Sequence, residues 1–173
     1  MCLVSFFELM PGIGTPRRPQ DGCRSIARAA THLVTHDATD ALSIADQIGI
    51  IQQGQLKQVD TPREVYFNPK TTYAARMTGP VNSLRGKHLP TLGIPQVGDP
   101  ETCFGLRPEH ISLVDDGPVA GVVRAVFFQG RQSELDVKIN RYISLRLLTE
   151  RDDIRVGDQV RLRLDTERLM TIG

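Results

Sequence analysis

Few side chains in this sequence stand where chemistry is usually done, and the first of them is His36. Leu33, Val34 and Thr35 form a short β-favouring run that stops at His36-Asp37, after which the apolar residues recur at helical spacing. A side chain at such a strand-to-helix junction faces the open end of a parallel sheet, where α/β folds place ligand-facing groups beside helix N-termini that attract anions. A solvated turn histidine is the alternative. The second candidate is Arg107-Pro108-Glu109, whose stiff proline turn fixes two charges without making a pocket; the pair reads as a brace at a domain junction rather than a catalytic dyad. His32, His88 and His110 lack partners at metal-ligand spacing, so no metal site is expected. Cys2, Cys23 and Cys103 are odd in number, far apart and without CxxC spacing, which points to a reducing compartment and no structural zinc.

The elements that would hold His36 can be read from residues 33–69. Ala38, Ala41, Leu42, Ala45 and Ile48 fall on one stripe of a helix whose other faces carry Thr39, Asp40, Ser43 and Gln47. Residues 48–52 and 55–59 then form two short strands about Gln53-Gly54, a pair suited to a tight hairpin turn. Thr61-Pro62-Arg63-Glu64 supplies a capping box, with Thr61 as N-cap, proline at the first helical position and Glu64 placed to reach back to the N–H of the cap. That helix stops near Asn68-Pro69. In residues 70–79, Tyr73, Ala74 and Met77 predict a further short helix, with Gly79 as its C′ residue.

In this order, VTHD, the small-residue helix with Ala41-Leu42 and Ala45-Asp46, a strand, the turn glycine Gly54 and the TPREVYFNP segment resemble the C-terminal end of an ABC transporter ATP-binding subunit of the maltose-type importer class. The resemblance implies that His36 is the switch histidine, which hydrogen-bonds the γ-phosphate of ATP and helps hold the attacking water. An imidazole suits that task because it can offer an N–H to an anionic oxygen and titrates near neutral pH. In the same family GPVNSL, matching residues 79–84, is the crossing into a regulatory domain, and a domain boundary is placed there.

Ahead of His36 the family pattern is missing. A P-loop needs G-x-x-x-x-G-K-[ST], so that backbone N–H groups and a lysine cradle the phosphates while a hydroxyl holds magnesium. Gly12 and Gly14 do not provide that spacing, no lysine precedes Lys57, and the only carboxylates before His36 are Glu8 and Asp21. There is no LSGGQ-type signature. Residues 1–10 are too short an apolar run to span a bilayer and lack the preceding basic residue of a secretory signal. Residues 11–22, rich in Pro, Gly and Arg, suit a loop, and 23–30 could form a helical turn or two.

Beyond residue 80 the chain reads as all-β. Residues 119–128 and 133–139 predict strands, the latter with Leu135, Val137 and Ile139 alternating against Glu134, Asp136 and Lys138. Ile143, Leu145 and Leu147 mark another, Val160, Leu162 and Leu164 a fourth, and 169–172 a last short one. About five strands separated by turn residues suit a small barrel of the oligomer-binding type. GLRPEHI resembles the GxRPE motif of the same transporter subunits, whose C-terminal OB-like region is called a TOBE domain, and VGDQVRLRLDTERLMTIG matches the way that domain closes.

The fold class is therefore an α/β fragment, the end of an ABC nucleotide-binding domain, followed by an all-β OB-like (TOBE) barrel. Residues 1–30 are a divergent, irregular segment, 31–78 the remnant of the nucleotide-binding domain, and 79–173 the TOBE regulatory domain. Hydrophobic residues at 40% are enough to bury a core in each. Lys+Arg 21 against Asp+Glu 20, with no run of one sign, argues against nucleic acid. Aromatic residues are only 5%, so Phe127 or Phe128 is read as core rather than as a base-stacking platform, and Arg124, Arg131, Arg141 and Arg146 as a solvated face. The resemblance implies ATP and Mg as cofactors of the complete subunit, transmembrane permease subunits as partners, a homodimer through the C-terminal barrel, and a cytoplasmic place on the inner face of the membrane. The chain alone is expected to bind neither ATP nor Mg tightly and not to hydrolyse ATP, being a C-terminal fragment that couples or regulates solute uptake. The alternatives are a free-standing TOBE-like module for a small oxyanion or sugar-derived ligand, and a remnant without function.

Overall fold

A computed structural model describes residues 2–8, 30–35 and 37–173. Its first unit is a four-stranded sheet in the order β2-β1-β3-β4, with helices on it. The strands are β1 (Cys2–Glu8), β2 (Ala30–Thr35), β3 (Gln47–Gln52) and β4 (Gln55–Asp60), and the helices α1 (Ala38–Ile44), α2 (Pro62–Phe67) and α3 (Thr72–Met77). Every ladder here is antiparallel. The parallel pairing expected beside His36 is not found among the described residues, and the reason is β1. It sits between β2 and β3 and runs opposite to both, so the two strands joined through α1 keep a common direction but are not neighbours. The irregular stretch expected at the start of the chain is thus a strand at Cys2–Glu8; of the helical turns expected at 23–30, residues 23–29 lie outside the described residues and Ala30 opens β2 instead.

Local signals explain the rest of this unit. Gln53 and Gly54 both have positive φ, +51° and +75°, which is what a two-residue turn joining twisted strands demands. Thr61 caps α2 by accepting from Glu64 N, with Pro62 in the first turn. Only half of the expected capping box forms: the Glu64 carboxylate accepts from Asn68 Nδ2 at 2.8 Å instead of returning to the cap. Helix α1 ends at Ile44, short of the expected Ile48, which is buried on β3. Ala41, Ile48, Ile50, Val65 and Ala74 form the small core of this unit.

The second unit holds two sheets. Strands β7 (Ile111–Val114), β8 (Val119–Phe128), β9 (Ser133–Lys138), β10 (Ser144–Thr149) and β11 (Gln159–Leu164) make a five-stranded antiparallel sheet in the order β10-β9-β8-β11-β7. Its edge strands β10 and β7 come within 8 Å of each other, so the sheet is bent toward closure, with no ladder joining them among the described residues. A second sheet, β12-β6-β5, is made by β5 (Asn82–Arg85), β6 (Cys103–Leu106) and β12 (Met170–Ile172). The result is a short α/β region followed by a β-rich, OB-like unit. Leu135, Val137, Leu145, Leu147 and Leu162 are fully buried in its core.

One prediction about this core is corrected. Phe127 and Phe128 are 51% and 80% exposed. A bulge between Val123 and Ala125 gives β8 an extra residue, Arg124, and shifts the pleat beyond it. The last residues of β8 then run past the core, which Leu135 and Leu147 already fill. The solvated arginine face is also more structured than expected, since Arg124 pairs with Asp136 and Arg146 with Glu134 across neighbouring strands.

Candidate functional site

His36 lies outside the described residues, but its flanks are placed. Thr35 ends β2, and the Asp37 N–H donates to Thr35 Oγ1 at 3.0 Å. Asp37 is the N-cap of α1, and its Oδ1 accepts from Thr39 N at 2.8 Å and Asp40 N at 3.2 Å. The donors at the start of that helix are therefore occupied by an anion of the chain itself.

The densest polar construction joins the two units, and its centre is Arg107. Thr71 caps α3 through Ala74 N, and the helix ends at Met77 with Thr78 as C-cap, leaving carbonyls that need donors. Arg107, 0% exposed, supplies them. Its Nη1 faces Ala75 O at 2.9 Å, Gly79 O at 2.9 Å and Pro80 O at 3.1 Å, three acceptors sharing two hydrogens. Its Nη2 donates to Tyr66 O at 3.0 Å and Thr78 Oγ1 at 2.8 Å. The guanidinium also lies 4.0 Å from the centre of the Tyr66 ring. Burial lowers the Arg107 pKa, opposed by the nearby Tyr66 and Glu109.

Arg107 and Glu109 do not pair with each other; both act on Tyr66. The Glu109 carboxylate accepts from the Tyr66 hydroxyl. Burial first, then this acceptor, pushes the phenol pKa up to about 12. Nothing catalytic follows from a phenol held neutral and a cation locked under carbonyls, so the arrangement is a brace. Asn82 adds a second tie: its Nδ2 donates to Leu106 O and Arg146 O at 3.2 and 2.8 Å, and its Oδ1 accepts from Arg146 N at 2.7 Å. Sequence reasoning placed Arg107, Glu109 and Asn82 at this junction but missed Tyr66 and Thr78. No local spacing could have marked Tyr66, since its partner comes 41 residues later.

The TOBE domain family model matches residues 104–172. The chain is 35% identical over 109 residues to the uncharacterized ABC transporter ATP-binding protein YdcT of Escherichia coli K12, covering 62% of this chain and 31% of that protein. It is 30% identical over 157 residues to the Fe(3+) ions import ATP-binding protein FbpC of Haemophilus influenzae, covering 82% and 45%. It is 29% identical over 151 residues to the spermidine/putrescine import ATP-binding protein PotA of Borrelia garinii, covering 78% and 42%. The chain thus spans less than half the length of these curated relatives. No helix among the described residues is long and apolar enough to cross a membrane.

Proposed function

We propose, given that the chain corresponds to the C-terminal region of ABC importer ATP-binding subunits and carries a TOBE domain, that it couples and regulates ATP-driven solute uptake and is not an ATPase by itself. The observation that carries this reading is the Arg107 brace: a buried cation of the β-rich unit holds the end of α3 and the linker, so a shift in one unit must be felt by the other. Residues 1–30, 31–78 and 79–173 are proposed as the divergent start, the nucleotide-domain part and the TOBE unit. His36 is proposed to contact the γ-phosphate of ATP when a complete nucleotide site is present.

The residues at hand do not fit ATP and magnesium on their own. The sequence holds no P-loop lysine or glycine cradle, and the helix after His36 is capped by Asp37 rather than open to a phosphate. No step of hydrolysis is assigned to them. The proposed partners are transmembrane permease subunits and a second copy through the C-terminal unit, placing the chain on the inner face of a membrane.

Two measurements on one preparation test this. The tagged chain, expressed in its own cells, is expected to be recovered from membranes together with permease subunits, and, once purified free of them, to release no phosphate from MgATP above the blank. Recovery without any permease would remove the coupling role. Magnesium-dependent turnover by the pure chain, lost in His36→Ala, would show an autonomous ATPase instead.

A further inference from the structure

We propose that the cleft between α3, the linker after Gly79 and the outer face of the five-stranded sheet binds a phosphorylated, hydroxyl-bearing small molecule about the size of a hexose phosphate. The site stands on its geometry and does not require the transport reading. The cleft encloses about 630 Å³ and is walled by Arg76, Ser83, Arg124, Asp136, Ser144 and Arg146. That volume falls within the roughly 300–1,000 Å³ of small-molecule sites, well above what a bare oxyanion fills.

Charge gives the first half of the argument. Three guanidiniums reach the cleft from separate elements: Arg76 from the last turn of α3, Arg124 from the bulge in β8, and Arg146 from β10. Arg76 is exposed and has no hydrogen-bond or ion-pair partner among the described residues. Arg146 Nη1 stands 3.4 Å from Glu134 Oε1, a long contact that leaves most of its donors unused. Arg124 is bound to Asp136 Oδ2. Against these stand two carboxylates, Glu134 and Asp136, so one positive charge is in excess. Guanidinium forks of this kind match the oxygens of a phosphate.

The second half comes from an unsatisfied acceptor. Asp136 is 8% exposed, and its buried Oδ1 has no hydrogen-bond partner. A buried acceptor without a donor is costly, and such groups call for a ligand or water to complete them. Sulfate or inorganic phosphate in its dianionic form would bring more negative charge to that oxygen and little or nothing to donate. A hydroxyl brings the missing donor once the Asp136 carboxylate turns about its broad terminal torsion to bring the buried Oδ1 to the cleft, with the long Arg124 side chain following Oδ2. At the bulge Asp136 pairs with Ala125 while Arg124 is the extra residue beside it, and both side chains, Arg124 and Asp136, line the cleft. Ser83 and Ser144, both exposed at the rim, add hydroxyls that donate or accept.

Isothermal titration of the full chain with glucose 6-phosphate, glucose and inorganic phosphate tests the proposal. Glucose 6-phosphate is expected to bind at least about tenfold more tightly than either of the others, since only it meets both the guanidiniums and Asp136. Arg76→Ala, at an exposed and unpaired position, is expected to weaken it by about tenfold with the melting temperature of the free protein unchanged. Asp136→Asn is expected to abolish the preference for glucose 6-phosphate over phosphate. Equal affinity for glucose 6-phosphate and phosphate would overturn the hydroxyl requirement, and no heat with any of the three, or heat unaltered by Arg76→Ala, would overturn the site. If Asp136→Asn does not fold, the Arg76→Ala titration decides alone.

Discussion

At residue 107 a charge without solvent contact is held by five hydrogen bonds, all but one to backbone carbonyls. Its Nε lacks a partner, a cost of about 1–3 kcal/mol for a buried polar group. The Tyr66 ring beneath it returns roughly 0.5–2 kcal/mol, and the fold depends on that ring staying neutral, because burial and the Glu109 carboxylate both disfavour its anion. That dependence titrates. An unfolded chain loses the Tyr66 proton near pH 10.0, whereas the folded chain holds it until about 12. The stabilisation is thus complete below pH 10 and is lost as pH rises from there through 12. The melting temperature of the parent is expected to fall more steeply over that interval than that of Tyr66→Phe, which has no proton to lose. Parallel curves for the two proteins would mean that Tyr66 carries no such linkage.

At the scale of elements the junction turns on one backbone position. Gly79 follows the Thr78 C-cap with φ +147°, a region closed to most L-residues, and a Cβ there would meet Arg107 Nη1 at 3.4 Å and the Tyr66 ring at 3.7 Å. Gly79→Ala is expected to lower stability by about 1–3 kcal/mol, read as a lower urea midpoint with an unchanged slope. The spacing of residues made this glycine legible, as it did Gln53-Gly54 and the Thr61 cap, because each answers to atoms within four residues of itself. What depends on distant partners, or on two local signals competing for one group, was not legible. Glu64 satisfies the capping pattern, yet Asn68 competes for its carboxylate. Ile48 fits the helical stripe, yet pairing with β1 and β4 claims it for a strand. The bulge at Arg124 exists only in relation to β9, so the exposure of Phe127, which alternation from Val119, Gly121 and Val123 would turn inward, could not be foreseen along β8.

For the molecule as a whole, the two units keep separate cores, one around Ala41, Ile48 and Val65 and the other around Leu135, Leu145 and Leu162. A third small cluster spans them: Ala75 of α3 packs with Met170 and Ile172 of β12, against Val81 and Cys103. The proposed second copy would find apolar surface at the far end of β8, where Val126, Phe127 and Phe128 are exposed. Phe128→Glu is expected to convert a dimer to a monomer in light scattering after gel filtration; a parent that is already monomeric, or a variant that stays dimeric, removes that face from the interface. The brace at residue 107 also bears on modularity. A cut after residue 79 would look clean on paper, at a glycine and a proline. It would strand an arginine four of whose five acceptors, at Tyr66, Ala75, Thr78 and Gly79, lie on the other side, leaving only Pro80 O. The β-rich unit taken alone would keep that cation with one acceptor and without the Tyr66 ring that covers it, so the seam visible in the sequence is not a clean break in the energetics.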